Sequence, residues 1–278
     1  MDQRAAAGHD VPDQADEHLL HRVPLPGIAQ HDGHLGSQAQ RDPDVVRLEP
    51  PGAVDVEKIS AFGAARGLQI FLQPGGLDTV RPIRDDYPPL TYSVDEGGVE
   101  IEFGPVDFIQ VNREINASMV AAAMAHLQPR ADDAVLDLFC GLGNFTLPLA
   151  RRAARVLGVE GDKSLVAKAR LNASRNGIRN AEFAVENLFE PDTFGAWAEE
   201  RYGLVLLDPP RAGAAELMTR MTRWGARRVV YISCHPGSLA RDAGILAEQG
   251  FTLTAAGVMD MFPHTTHVES IAVFERPP

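Results

Sequence analysis

The stretch Val135-Leu-Asp-Leu-Phe-Cys-Gly-Leu-Gly-Asn144 joins a short apolar, β-prone run to a turn that contains two glycines. From this point the sequence alternates apolar strands with helical segments. Such alternation is typical of a doubly wound α/β sheet, in which ligands bind at the carboxyl ends of the strands. The stretch therefore predicts the first strand of the sheet and a loop that faces a ligand.

The predicted strands and helices of this sheet follow one another with short connections. Strands are predicted at 134–138, 155–159, 181–185, 204–207, 228–232, 251–258 and 269–275. Helices are predicted at 115–127, 145–153, 163–176, 214–224 and 236–249. Residues 108–278 are therefore predicted to form one α/β domain.

Two segments precede this domain. Residues 42–107 form a small, partial α+β domain, with a predicted helix and three strands at 54–67, 68–73, 90–94 and 99–103. Residues 1–41 contain five of the nine histidines, at irregular spacings and without a sustained hydrophobic period. We interpret this segment as a disordered leader rather than as a metal-binding tract.

The composition is that of an ordinary globular protein, with 45% hydrophobic and 23% charged residues among 278. No run approaches the roughly 20 apolar residues of a membrane span. The N-terminus, Met1-Asp-Gln-Arg4, lacks the apolar core of a signal peptide. We therefore expect a cytoplasmic protein that does not contact membranes and that is a monomer.

The net charge of −12 argues weakly against a nucleic-acid partner, but the charge is unevenly distributed. Residues 1–129 carry 20 acidic and 9 basic side chains, whereas residues 130–278 carry 18 acidic and 17 basic side chains. The acidity therefore belongs to the front of the chain. The back half can still carry a local basic surface.

The chain has two cysteines, Cys140 and Cys234. This number excludes a disulfide framework and any multi-cysteine metal site within the chain. A free cysteine is more often a small buried hydrophobe than a reactive group, and we interpret Cys140 in this way. Cys234 instead follows the apolar run at 229–232 and precedes a turn, a position that presents a side chain for chemistry.

Three strand ends carry candidate ligand-binding residues. Gly141 and Gly143 allow a sharp turn and a close approach of the backbone to a ligand. Glu160 ends the second strand, where a carboxylate binds ribose hydroxyls in nucleotide-binding sheets. Asp208 begins Asp208-Pro-Pro-Arg211, whose prolines make a stiff pocket edge. Because an arginine rather than an aromatic residue follows the prolines, we do not expect an exocyclic amine as the target.

Six motifs follow one another along the chain. They are Phe108-Ile-Gln-Val-Asn112, Asp137-Leu-Phe-Cys-Gly-Leu-Gly-Asn-Phe-Thr-Leu-Pro-Leu-Ala150, Gly158-Val-Glu-Gly161, Leu207-Asp-Pro-Pro-Arg-Ala-Gly-Ala214, Ser233-Cys-His-Pro236 and Asp260-Met-Phe-Pro-His-Thr-Thr-His-Val-Glu-Ser270. Over about residues 45–278 the sequence resembles the RNA uracil-5-methyltransferases that use S-adenosylmethionine. The resemblance is closest to the RlmD type, which acts on large-subunit ribosomal RNA. It implies a class I, Rossmann-like methyltransferase domain at 108–278.

The resemblance also implies the roles of individual residues. Cys234 is expected to be the nucleophile and Glu269 the catalytic base. The pocket for S-adenosylmethionine and the target base is expected to be lined by Gln110, Phe139, Asn144, Glu160, Asn187 and Asp208. No metal is implied.

The family also has two parts that this chain lacks. One is an N-terminal OB-like RNA-binding domain, and the other is an iron–sulfur cluster held by four cysteines. Cys140 and Cys234 cannot supply four ligands, so we expect no iron–sulfur cluster. The sequence thus resembles the catalytic part of such an enzyme behind an unrelated leader at 1–41.

The chemistry explains why a cysteine and a carboxylate are both needed. Carbon-5 of uracil is a weak nucleophile, and addition of a thiolate at carbon-6 converts the ring to an enolate that accepts a methyl group at carbon-5. A base then removes the carbon-5 proton, and elimination frees the thiolate. We expect the helix that starts after Pro236 to lower the pKa of the Cys234 thiol.

Several interpretations stay open at this point. The leading hypothesis is methylation of a ribosomal RNA uridine at carbon-5. The alternatives are a transfer RNA uridine C5-methyltransferase, and a truncated remnant that binds cofactor or RNA with little activity. A small-molecule methyltransferase is disfavoured, because it needs no covalent thiol. Arg211 and Arg241 are candidate phosphate contacts, although solvated arginines are the more common case.

Overall fold

The computed structural model of the protein describes residues 52–95 and 98–277. The leader predicted at 1–41 lies outside the described residues. Within the described ranges, no helix combines the length and the apolar character that crossing a bilayer requires.

The chain begins its described part with a small α+β segment. This segment consists of helix α1 (Ala53–Arg66), the short pair β1 (Phe71–Leu72) and β2 (Arg81–Pro82), and the hairpin β3 (Leu90–Val94) and β4 (Val99–Phe103). The strand predicted at 68–73 is thus shorter than expected. Pro82 has no N–H to donate, which limits the β1–β2 ladder.

Helix α2 (Arg113–Leu127) leads into the main sheet. The strands of this sheet are β5 (Ala134–Leu138), β6 (Arg155–Glu160), β7 (Ala181–Val185), β8 (Leu204–Leu207), β9 (Arg228–Ser233), β10 (Thr252–Met259) and β11 (Glu269–Glu275). The connecting helices are α3 (Thr146–Ala150), α4 (Lys163–Arg175), α5 (Ala215–Met218), α6 (Met221–Trp224) and α7 (Pro236–Glu248). The single helix predicted at 214–224 is two short helices, separated by a tight turn in which Arg220 N donates to Leu217 O.

The main sheet has the strand order β10-β11-β9-β8-β5-β6-β7. Strands β5 to β9 run parallel, β11 is antiparallel to β9, and β10 is antiparallel to β11. The order therefore reverses between β5 and β8. This confirms the predicted α/β sheet and identifies the crevice at the carboxyl ends of β5 and β8 as the expected ligand site.

Helices cover both faces of the sheet. The parallel strands are apolar on both sides because both are buried. On β9, for example, Val230 and Ile232 belong to the core that contains α2 and α4, whereas Val229 and Tyr231 belong to the core that contains α6 and α7.

The β3–β4 hairpin packs into the first of these cores. Its side chains Val94, Val99, Ile101 and Phe103 are buried together with residues of α2, α4 and β5. The hairpin therefore shares a core with the main sheet. The domain boundary predicted between 107 and 108 stays a prediction.

Helix α7 is fixed to the sheet by the buried carboxylate of Asp242. Its Oδ2 accepts hydrogen bonds from the Tyr231 hydroxyl at 2.6 Å and from Ala214 N at 2.7 Å. Its Oδ1 accepts from Arg241 Nε at 2.8 Å, and Asp242 is completely inaccessible to solvent. One charge thus joins α7, β9 and the loop that follows β8.

Replacing Asp242 with alanine should destabilise the fold strongly. Asp242→Ala leaves the Ala214 amide and the Tyr231 hydroxyl without their acceptor, so the free energy of unfolding should fall by about 3–5 kcal/mol. Urea denaturation measures this quantity. Arg223→Ala is the control, because its ion pair with Glu199 is exposed and its loss should cost less than about 1 kcal/mol. Equal losses in the two variants would contradict the role given to Asp242.

Candidate active site

The main sheet brings Cys234 and Glu269 to the same place. Cys234 follows the last residue of β9, and Glu269 is the first residue of β11. The ladder between the two strands ends with Ser233 opposite Ser270, so Cys234 and Glu269 are the residues next to its last pair. The Glu269 carboxylate lies close enough to Cys234 to raise the pKa of its thiol. A thiol and a carboxylate that are distant in sequence are therefore neighbours at the carboxyl edge of the sheet.

Asp208 and Gln110 adjoin this pair. Asp208 follows β8, the strand next to β9, and its Oδ2 accepts a hydrogen bond from Gln110 Nε2 at 3.2 Å. Burial and the nearby Glu269 carboxylate raise the pKa of Asp208 to about 7. Burial also raises the pKa of Glu269. Both carboxyls are thus held in surroundings that favour their protonated forms, as is common for groups that exchange protons with a substrate.

The Cys234 thiol is more weakly acidic than expected from the sequence. Burial raises its pKa, and the Glu269 and Asp208 carboxylates raise it further, while Arg211 acts in the opposite direction. The expected lowering by the start of α7 is therefore wrong. The reason is that burial and the two carboxylates together outweigh any lowering by the helix start.

The loop after β5 forms the other half of the site. Phe139 and Gly141 have positive φ angles of 63° and 53°, so the backbone turns sharply here. Gly141 N donates to Glu160 Oε2 at 3.1 Å, and Asp162 N donates to Glu160 Oε1 at 2.9 Å. Glu160 thus ties the loop to the end of β6. Each of its oxygens keeps a further lone pair that can accept a ligand hydroxyl.

The same loop leaves room for a ligand. A Cβ atom built on Gly141 would meet no atom within 4 Å. At Gly158, by contrast, a Cβ atom would come within 2.9 Å of the Cys140 sulfur. The loop therefore has open space beside Gly141 and packs closely against β6 at Gly158. Cys140 is buried, with 3% of its surface exposed, in agreement with its interpretation as a packing residue.

Asn187 belongs to a short turn after β7. Its side chain accepts a hydrogen bond from Phe189 N at 3.1 Å and donates to Glu190 Oε1 at 2.8 Å. This turn holds the Phe189 ring 5.8 Å from the Phe139 ring. Phe189 is 44% exposed, so the two rings offer an apolar surface beside the glycine loop. The sequence alone did not single out Phe189, although it lies two residues after Asn187.

The Asn144 side chain points toward α2 and the hairpin. It donates to Asn116 Oδ1 at 2.9 Å and accepts from Asn116 Nδ2 at 3.1 Å. The Tyr92 hydroxyl also donates to Asn144 Oδ1, at 3.2 Å. Asn144 thus fixes the far end of the glycine loop, and its part in lining the pocket stays a prediction. Asn116 was not expected from the sequence, because a buried polar residue inside a helix has no periodic signal.

Asp137 lies beneath the loop and is almost completely buried, with 1% of its surface exposed. Its Oδ2 accepts a hydrogen bond from Thr146 Oγ1 at 2.5 Å, whereas its Oδ1 has no partner among the described residues. Burial raises the pKa of Asp137 to about 7, although the bond from Thr146 acts against this. An unpartnered buried oxygen under an open glycine loop fits a site that receives a polar ligand group.

Two further residues are exposed and available to contact a large substrate. Phe108 is 74% exposed and lies two positions before Gln110, so its ring is available to contact a planar group. Arg211 is exposed and close enough to Cys234 to lower the thiol pKa. Arg241, the other candidate phosphate contact, is held by Asp242 and by the Ala212 carbonyl, to which it donates at 2.7 Å.

Comparison with known proteins identifies relatives of the chain. Proteins named 23S rRNA (uracil(1939)-C(5))-methyltransferase RlmD are 53% identical to the chain in Stenotrophomonas maltophilia, over 84% of the chain, and in Xanthomonas campestris pv. campestris, over 82% of it. The chain spans about half the length of these curated relatives, 52% in both cases.

Solved structures agree with the fold. The Pyrococcus abyssi tRNA (uracil-54, C5)-methyltransferase, in complex with S-adenosyl-L-homocysteine, is 26% identical, with a TM-score of 0.61. That comparison covers 74% of this chain and 50% of the solved one. M. jannaschii TYW2 in complex with AdoMet has a TM-score of 0.54 over 75% of this chain and 94% of its own, and at 16% identity it supports the fold alone. The predicted class I methyltransferase fold is confirmed.

A family profile shows to which protein family the chain belongs. The profile of the tRNA (uracil-5-)-methyltransferases matches residues 79–190 and 196–277, which is more than half of the chain. It includes the strand ends that carry Cys234, Glu269, Asp208 and Glu160. The chain therefore belongs to the tRNA (uracil-5-)-methyltransferase family.

Proposed function

We propose that the protein methylates carbon-5 of a uridine in large-subunit ribosomal RNA, with S-adenosylmethionine as methyl donor and a covalent adduct between Cys234 and carbon-6. The observation that carries the proposal is the proximity of Cys234 and Glu269, which adjoin the last pair of the β9–β11 ladder and interact electrostatically. A thiol beside a carboxylate is the pair that the addition and elimination steps require. We also propose that the enzyme is a cytoplasmic monomer.

The residues around the glycine loop would hold the cofactor. Glu160 would accept the ribose hydroxyls, and the open backbone at Gly141 would allow close approach. Phe139 and Phe189 would cover the adenine with apolar surface. When bound, S-adenosylmethionine supplies an electrophilic methyl group on a sulfonium.

The target uridine would leave its stack and enter the crevice between β8 and β11. Phe108 would stack on an unstacked base, and the amide of Gln110 would hydrogen-bond the uracil edge. The Cys234 thiol would pass its proton to the Asp208 carboxylate, so that Glu269 stays deprotonated. The thiolate would then form a bond to carbon-6, and the electrons of the carbon-5–carbon-6 double bond would move into the enolate. After methylation, Glu269 would take the carbon-5 proton, and the carbon–sulfur bond would break to restore the double bond.

The relatives favour ribosomal RNA over transfer RNA. Proteins 53% identical to the chain are named as 23S rRNA enzymes, whereas the solved transfer RNA enzyme is 26% identical. A transfer RNA substrate, or a remnant with little activity, is the alternative. Mass spectrometry of 5-methyluridine in ribosomal and transfer RNA, with and without the gene, distinguishes them. Loss of the nucleoside from transfer RNA alone would replace the ribosomal assignment, and no loss from either would favour the remnant.

The covalent step makes separate predictions for the thiol and the carboxylate. Cys234→Ala should abolish both methylation and any protein–RNA adduct, because no enolate forms without addition at carbon-6. Glu269→Gln should add and methylate but release product at least about 100-fold more slowly, and it should accumulate an adduct that survives denaturation. Denaturing gel electrophoresis with labelled RNA measures the adduct. Cys140→Ala is the control and should behave as the parent protein, whereas an adduct that depends on Cys140 would refute the assignment.

The raised thiol pKa gives a prediction that does not need RNA. Removing a negative charge from beside Cys234 lowers its pKa, so Glu269→Gln should shift the pH profile of alkylation by iodoacetamide to lower pH. The reaction rate at a fixed pH below the thiol pKa should then rise, because the thiolate fraction is larger. The experiment is done in a Cys140→Ala background, with the exposed Glu248→Gln as control. A profile that stays in place or moves to higher pH would contradict the electrostatic coupling.

A further inference from the structure

Asn172 of α4 and Asn176, the residue that caps its C-terminus, take the place of a neighbouring strand along the outer edge of β4. Asn176 accepts from Glu100 N at 2.9 Å and donates to Glu100 O at 2.6 Å. Asn172 accepts from Glu102 N at 3.0 Å and donates to Glu102 O at 3.1 Å. We refer to these four hydrogen bonds as the amide ladder.

The spacing of the two elements makes the amide ladder possible. Two residues along a strand advance about 6.8 Å, and their backbone groups face the same edge. Four residues along a helix advance about 6.0 Å and return to the same face. Asn172 on α4 and Asn176 at its C-cap therefore meet Glu102 and Glu100 of β4, respectively, with little adjustment.

Asn172 makes one contact that Asn176 lacks. Its Nδ2 also donates to the carbonyl of Leu142, at 3.3 Å. Leu142 lies between Gly141 and Gly143 in the loop after β5, and Asn172 is 1% exposed. The amide of Asn172 thus uses both of its N–H groups and its oxygen, and it joins the hairpin to the glycine loop.

We propose that Asn172 is a positioning residue for the loop at 139–144, and that it couples the docking of the β3–β4 hairpin to the cofactor site. This rests on the proposed function, since S-adenosylmethionine is the ligand assigned to that loop. Within the loop, Cys140 and Leu142 are anchored by burial, and the hydrogen bond from Asn172 fixes the backbone between the two glycines. Asn172 donates this bond to the Leu142 carbonyl, whereas the space beside the neighbouring Gly141 is open.

Other contacts also hold the hairpin against the main sheet. Its docking can therefore be tested separately from the position of the glycine loop. Lys168 of α4 pairs with Asp107 at 2.6 Å, Arg152 pairs with Asp95 at 2.5 Å, and Arg175 pairs with Glu102. Apolar side chains of β3 and β4 are also buried in the common core. Loss of the Asn176 half of the amide ladder should therefore leave the hairpin docked and the loop in place.

The test compares Asn172→Ala with Asn176→Ala. Both variants remove two hydrogen bonds from β4, but only the first removes the bond to Leu142. Calorimetry with S-adenosylmethionine and S-adenosylhomocysteine is done at a temperature where both variants are folded. Asn172→Ala should weaken binding about tenfold or more, and Asn176→Ala less than about twofold.

Hydrogen exchange of the cofactor-free protein gives a second readout. Both variants should speed exchange in β4, whereas only Asn172→Ala should speed exchange at residues 139–144. Asn172→Ser, whose hydroxyl keeps one donor, should recover part of the binding and serves as the test variant if Asn172→Ala does not fold.

Two outcomes would overturn the proposal. One is equal weakening of cofactor binding by the Asn172 and Asn176 variants, and the other is unchanged exchange at 139–144 in Asn172→Ala. If the parent protein binds neither cofactor form, the proposed function fails. The exchange experiment then still decides whether Asn172 positions the loop, because it needs no ligand.

Discussion

Antiparallel pairing between β9 and β11 determines where the reactive groups stand. A shift of one residue in that pairing would turn every side chain of β11 to the opposite face. The packing opposes such a shift, because β11 is buried on both sides, with Ile271 and Val273 in one core and Ala272 and Phe274 in the other. The position of Glu269 beside Cys234 is therefore a consequence of apolar packing along β11.

The sheet could be predicted from the sequence because its strands are continuous apolar runs separated by helices. The parallel strands β5, β7 and β8 have the predicted bounds, and β6 and β9 differ by one residue at one end. The elements that were predicted poorly are short ones, β1 and the pair α5 and α6. Their lengths depend on single prolines and on local turns rather than on a repeating pattern.

The site could be predicted in part. Strand-end positions indicated Cys234, Asp208 and Glu160, since parallel strands bring their carboxyl ends to one edge. Glu269, at the start of the antiparallel strand β11, was indicated only by the family resemblance. The direction of the thiol pKa shift was wrong, because burial and two carboxylates act on Cys234 together. The amide pairs of Asn116 and Asn172 were missed, since a contact between distant side chains leaves no signal in one sequence.

The amide ladder also bears on aggregation. A strand edge with free N–H and C=O groups can pair with the same edge of another molecule and start an ordered aggregate. Along β4 these groups at residues 100 and 102 are already bonded to helix side chains, which cannot extend a sheet. Once α4 has formed and bound these groups, the outer edge of β4 is closed to intermolecular pairing. This lowers the risk that the hairpin aggregates through that edge while the rest of the chain folds.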